Sequence, residues 1–209
     1  MRILLGTTNP SKVKRFSDLL KGYDVEVVTL KDLAITDEPE ENGTTPEENA
    51  IAKAKFYGQY FDVVICNDSG LYFEELTLND VRQPGLNVRT PMQMDRLSDE
   101  EMVDYYSKLI DTLGGKVSAY YLDGIAVYYH GTICSFMDAD EAKKTGSFYM
   151  IGKASSKRFE GWPLDSLSIN KETGKYFVDG SMEESKENII KDEYEKRIVH
   201  FLTKSLYIA

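Results

Sequence analysis

Two cysteines, two histidines and one tryptophan in a chain of 209 residues remove several classes of protein at once. Cys66 and Cys134 make neither a disulfide framework nor a zinc set, and both sit in apolar, strand-like contexts that suit a reduced, packed thiol. With only His130 and His200, no Gly-x-Ser-x-Gly turn and no His-Glu-x-x-His, a serine triad or a zinc hydrolase lacks its parts. No stretch approaches the roughly 20 apolar residues a membrane helix needs. The opening MRILLGTTNPSK has too short an apolar run for a secretory signal. A soluble, cytoplasmic protein with no membrane partner is the expectation. Positive charge is also scarce: 25 basic against 35 acidic residues give a formal charge of −10. That balance argues against nucleic acid as a partner, which needs a basic footprint. Small anions stay open, because a few lysines, helix amino termini and a divalent cation can converge on one phosphate site.

What is present reads as α/β. "RILL" predicts a strand, and "GTTNPSKVKRFSDLL" a polar turn leading into a helix, with Asn9 as N-cap and Pro10 at the first helical position. "VEVVTL" (25–30) is the next strand, so the chain opens as a βαβ unit. An acidic stretch, "ITDEPEENG", precedes a second helix marked by Thr45 as N-cap, Pro46 and a capping box completed by Glu48. "FDVVICND" and "LYFEEL" read as two strands. A helix follows Ser98, whose capping box uses Glu101, with Gly114 as its C-terminal cap. "VSAYYLDGIAVYYHGTICSF" predicts a hairpin turning at His130-Gly131. The last element is a helix from about Glu183 to Leu206 with Ile190, Tyr194, Ile198 and Phe201 on one face. No repeat or linker divides the chain.

Three places could carry chemistry, and each has a plainer reading beside it. "TTNPSK" (7–12) joins a strand to a helix amino terminus, where backbone N–H groups, the helix dipole and Lys12 favour an anion; a capped helix with a solvated lysine also fits. It lacks the glycine spacing of a Walker loop. Glu38, Glu40 and Glu41 offer the carboxylates magnesium prefers, or simply a solvated acidic loop. In the helix that follows, Asn49 and Lys53 share a face, and Ala50 and Ala54 beside them leave room for a ligand or for another backbone. "VVICNDSGLYF" (63–73) runs an apolar strand into Asn67, Asp68, Ser69 and Gly70. These residues suit a turn, and equally a carboxylate at the carboxyl end of a strand, where open α/β sheets bind ligands.

Taken together, "TTNPSK", "EENGTTPEENAIAKA" and "NDSGL", with "PGLNVR" (84–89) after them, resemble the inosine triphosphate pyrophosphatase family over roughly the first 90 residues. That resemblance implies one domain over residues 1–209: a long, twisted mixed sheet with flanking helices and two lobes around a central cleft, usually in a homodimer. It implies magnesium-dependent hydrolysis of non-standard purine nucleoside triphosphates, with manganese as an alternative ion, yielding nucleoside monophosphate and pyrophosphate. By resemblance, Thr7, Thr8, Asn9 and Lys12 hold the triphosphate, Lys53 contacts phosphate, and Asn49 and Ser69 touch the substrate. Glu41, Asp68 and Asn67 form the metal set, with Asp68 as general base. Trp162 would stack on the base and Lys186 would contact the nucleotide.

The family typically has Asp-Asp where this chain has Asn67-Asp68. In the carboxyl-terminal half "FEGWPLDSL" only echoes the family's base-pocket segment, with Asp165 in a related place and Pro163 where an acid belongs. Asp192-Glu193 stand where the family has His-Arg, and acids cannot donate to a purine carbonyl. A nucleotide-binding or sensing protein that hydrolyses nothing is the alternative these departures raise.

Overall fold

The computed structural model describes residues 1–159, 161–180 and 193–209. Its seven strands are β1 (Arg2–Leu5), β2 (Glu26–Thr29), β3 (Val63–Phe73), β4 (Lys116–Tyr129), β5 (Thr132–Phe136), β6 (Phe148–Ile151) and β7 (Ser168–Ile169). They form one sheet in the order β2-β1-β3-β4-β6-β7, with β5 paired to β4. β1 runs parallel to β2 and β3, whereas β4 pairs antiparallel with β5 and β6, so the sheet is mixed. Among the described residues the α-helices are α1 (Pro10–Leu19), α2 (Pro46–Tyr57), α3 (Asp99–Thr112), α4 (Ala139–Gly146) and α5 (Glu193–Leu206). This is the mixed α/β class with flanking helices that the sequence predicts.

The described residues divide into two compact units, 1–69, 123–138 and 193–209 in the first and 70–122, 139–159 and 161–180 in the second. In the first, α2 packs its alanines on the sheet: Ala50 and Ala54 are fully buried against a cluster that includes Leu4, Val28, Val64 and Cys66. Their small size lets the helix lie close on these residues, so helix packing accounts for them. In the second unit Phe73, Tyr106, Ile110, Phe148 and Met150 anchor a separate core.

Several local signals act as written. Asn9 caps α1 by accepting from the backbone N–H groups of Ser11 and Lys12, and the Ser98–Glu101 capping box is complete. His130 and Gly131 both take positive φ, 45° and 91°, which gives the two-residue hairpin between Tyr129 and Thr132 its twist. The Thr45 cap forms, but Glu48 reaches back to the N–H and hydroxyl of Thr44 rather than to Thr45, so the reciprocal half of that box lies one residue early.

One expectation needs correction. "FDVVICND" and "LYFEEL" are not two strands joined by a turn, because β3 continues unbroken through Asn67, Asp68, Ser69 and Gly70. The side chains of Asn67, Asp68 and Ser69 find partners on other elements, so the backbone has no need to bend. Gly70 is required by close approach: a Cβ there would press on the carbonyl of Gly85, which exchanges backbone hydrogen bonds of 2.8 and 2.9 Å with Leu71. The expected start of the last helix, with Ile190, lies outside the described residues.

Gly124 of β4 is the tightest point of the first unit, since a Cβ would overlap the backbone of Pro46 and Glu47 at the start of α2. Gly124→Ala is expected to cost about 3 kcal/mol or more, because backbone cannot yield as a side-chain tip can. Gly146→Ala, with open space around it, is expected to leave stability unchanged or slightly raised. Equilibrium denaturation of the two variants beside the parent checks the contrast.

Candidate active site

The first unit gathers its polar groups around Asp68. The cap on Asn9 fixes the first turn of α1, with Asn9 Oδ1 at 2.9 Å from the Ser11 nitrogen and 3.3 Å from that of Lys12. The Thr7 hydroxyl accepts from the Asn9 N–H at 3.2 Å, and Thr8 is exposed beside it. Lys12 then reaches the carbonyl of Asn67 at 3.3 Å and lies 3.8 Å from Asp68 Oδ1. From α2, Asn49 donates to Asp68 Oδ2 at 2.8 Å and Lys53 Nζ lies 3.4 Å from Oδ1. Lys53 also pairs with Glu41 at 2.9 Å. Asn49 in turn accepts from the Gly43 N–H at 2.8 Å, which ties the acidic loop to the helix. Lys12, Asn49, Lys53, Glu41 and Asp68, from four places in the chain, therefore meet.

The two lysines differ electrostatically. Burial pushes the Lys12 ammonium below its usual range, and Asp68, its largest opposing influence, does not make up for it. Burial also lowers Lys53, but Asp68 and Glu41 together outweigh it and hold that ammonium above the ordinary value. Lys12 and Lys53 thus stand against two carboxylates, Asp68 and Glu41.

Behind Asp68 lies a network the sequence did not announce. Asn67 is 3% exposed, and its amide nitrogen, with two protons to give, lies within hydrogen-bond reach of Asp123 Oδ1 (3.2 Å), the Gly124 carbonyl (3.1 Å) and the Asp68 carbonyl (2.9 Å). The Ser69 hydroxyl lies 2.7 Å from Asp123 Oδ1 and 3.3 Å from Asn67 Oδ1. Arg15 of α1 donates to Asp123 at 2.8 Å and through Nε and Nη2 to Glu195 of α5 at 2.9 and 2.6 Å. Burial alone would push the Asp123 carboxyl up; Arg15, Ser69 and Asn67 outweigh it and hold it below the usual carboxylate range. One signal was available in the sequence: Asp123 is the lone acid in the run "AYYLDGIAVYY". Arg15 and Glu195 look like ordinary helix-surface charges until the helices are packed.

Other candidates fall elsewhere. Glu38 and Glu40 are exposed or nearly so, and Glu40 accepts from Asn42. Cys66 is buried, its thiol pushed up to about 12 by desolvation, which makes it inert. Trp162 belongs to the second unit and is 46% exposed, next to a short helical turn where burial raises the Asp165 carboxyl to about 6. Lys186 and Asp192 lie outside the described residues. Among the described residues no group of three or more His, Cys, Asp or Glu is placed to hold a metal ion. Glu41 and Asp68, bridged by Lys53, are a two-carboxylate set, the number magnesium takes when phosphate oxygens and waters supply the rest.

The site thus sets lysines from two capped helices around a strand carboxylate on a mixed α/β sheet. The model of the Ham1 family matches residues 3–144, and the chain belongs to that family. A dITP/XTP pyrophosphatase of Thermoanaerobacter pseudethanolicus is 41% identical over 87 residues, 41% of this chain and 42% of that relative. The Bacillus subtilis protein of the same name is 43% identical over 76 residues, 35% and 37% of the two chains. The chain thus matches about two fifths of the length of these relatives. The Staphylococcus aureus Ham1 protein superposes with a TM-score of 0.71 at 22% identity, over 98% of this chain and all of that one. A Coxiella burnetii HAM1 protein gives 0.74 at 19%, over 98% and 99%. These two likenesses concern the fold. Among the described residues no helix is long and apolar enough to cross a membrane.

Removing Arg15 would leave Asp123 buried without its cation, so Arg15→Ala is expected to cost about 3 to 5 kcal/mol near neutral pH. In the parent, a carboxyl held low stabilises the fold above the ordinary aspartate value near 4 and loses that contribution as pH falls through its lower folded value. Without Arg15 burial dominates and the sign reverses, so the deficit of the variant shrinks between about pH 7 and about pH 4. Urea unfolding of both proteins at the two pH values checks it.

Proposed function

We propose that this chain is a nucleoside triphosphate pyrophosphatase that hydrolyses non-standard purine nucleoside triphosphates, of the inosine or xanthosine kind, to the monophosphate and pyrophosphate. The observation that carries the reading is the convergence of Lys12, Lys53 and Asn49 on Asp68 beside the capped start of α1. The names of the relatives, matched over about two fifths of their length, support the same substrate class.

The α/β bridge of a triphosphate is surrounded by negative charge that repels an attacking oxygen. Lys12 and Lys53 neutralise part of it, and the positive end of the α1 dipole favours a phosphate oxygen there, with Thr7, Thr8 and Asn9 lining the approach. Asn49 holds Asp68 by one carboxylate oxygen and leaves the other toward the lysines. As the lysines turn to phosphate, that second oxygen is released to take a proton from water. Magnesium held by Glu41 and Asp68 would withdraw charge from the phosphate oxygens when bound. Ser69 and Asn67 flank Asp68 on β3. A homodimer in the cytoplasm belongs to the same proposal.

Asp68→Asn keeps the shape and the Asn49 contact but cannot take a proton. It is expected to lower kcat for inosine triphosphate by about a hundredfold or more while KM changes little. Pyrophosphate release from inosine, xanthosine, adenosine and guanosine triphosphates, with and without magnesium, measures it. Equal rates for the two proteins would sink the role of Asp68, and no release from any nucleotide would sink the activity.

A further inference from the structure

The amide of Asn67 has only one reading in this structure. Its nitrogen is surrounded by three acceptors, the Asp123 carboxylate and the carbonyls of Gly124 and Asp68, all within 3.2 Å. Turning the amide over would set its oxygen against all three, so Nδ2 stays anchored and Oδ1 is held on the opposite side. Ser69 has a single proton to give. Its 2.7 Å contact with the Asp123 carboxylate is shorter and charge-assisted, compared with 3.3 Å to Asn67 Oδ1. Asp123 therefore binds both residues that flank Asp68 on β3, and its second oxygen is locked by Arg15, which Glu195 holds from α5. Each of these residues lies within the first unit.

We propose that Asp123, clamped by Arg15 and Glu195, is a positioning residue for the Asn67-Asp68-Ser69 segment. It acts through Asn67 and Ser69 and does not touch the substrate. The arrangement also gives Asn67 a physical reason. A carboxylate at position 67 would face the Asp123 carboxylate and two carbonyls with no donor of its own, so the acid that a strand pair of two aspartates would carry is held one strand away. The inference rests on the functional reading above for its kinetic readout only, and its structural readout stands without it.

The experiment uses the full chain carrying Asp123→Asn, Arg15→Lys, Asn67→Asp, or Asn67→Asp together with Asp123→Asn. All four are measured by pyrophosphate release from inosine triphosphate with magnesium, and Asp123→Asn and Arg15→Lys also by the side-chain 15N–1H2 resonances of Asn67, assigned by their loss in Asn67→Asp. Asp123→Asn is expected to shift those resonances and to lower kcat by about tenfold with KM within about threefold, because Lys12 and Lys53 are untouched. Arg15→Lys, which cannot span both acids, moves both readouts in the same direction by less. The double variant is expected to be less impaired than the product of the two single losses, since the amide introduced on β4 can donate to the carboxylate introduced on β3. Unmoved Asn67 resonances with parental kcat in a folded Asp123→Asn would overturn the proposal, as would strictly additive losses in the pair. Should Asp123→Asn fail to fold, Arg15→Lys with unmoved resonances overturns it equally. If the parent releases no pyrophosphate, the functional reading falls and the resonances alone decide the positioning role.

Discussion

A carboxylate inside a sheet must find donors for both its oxygens, and the first unit of this protein is organised by that demand. Asp123, on a strand buried among apolar residues, draws Arg15 from one helix, Ser69 and Asn67 from β3, and through Arg15 the acid Glu195 from the last helix. Asp68, between Asn67 and Ser69 on β3, is met from α2 by Asn49 and Lys53 and from α1 by Lys12. A buried charge without such partners costs several kcal/mol, so these contacts are conditions on which the strands and helices can be assembled.

Small residues make the contacts reachable. Ala50 and Ala54 let α2 lie close on the sheet, and the absence of a Cβ at Gly124 admits the backbone of Pro46 and Glu47. Only with the helix at that depth do Asn49 and Lys53, one turn apart on the same face, meet Asp68. The helix caps complete the arrangement: Asn9 sets the first turn of α1 so that Lys12 reaches Asn67 and Asp68 of β3 while Arg15, three residues on, reaches Asp123 of β4. One helix thus supplies a cation to the Asp68 cluster and a cation that neutralises the interior.

Membership of the Ham1 family covers the chain from β1 to α4, which contains Lys12, Glu41, Asn49, Lys53, Asp68 and Asp123. Glu195 lies beyond the matched residues. The pair Asn67-Asp68, which looked in the sequence like a loss of negative charge, takes a different meaning beside Asp123. The charge is present within hydrogen-bond reach of position 67, and the amide orients itself against it.

Local chemistry was legible in the sequence wherever the cause is local. The caps at Asn9, Thr45 and Ser98, the His130-Gly131 hairpin and the βαβ opening all arise from residues a few positions apart, and the structure contains each of them. The turn expected at Asn67 to Gly70 failed because its residues satisfy themselves on other elements, which no window along the chain can reveal. Residue type and order, with the family resemblance, singled out Lys12, Lys53, Glu41 and Asp68, and the structure brings these four together. Residue type and order were not enough to bring Arg15 and Glu195, 180 residues apart, together on Asp123, because a buried ion cluster is specified by which elements pack against one another and not by any spacing between its members.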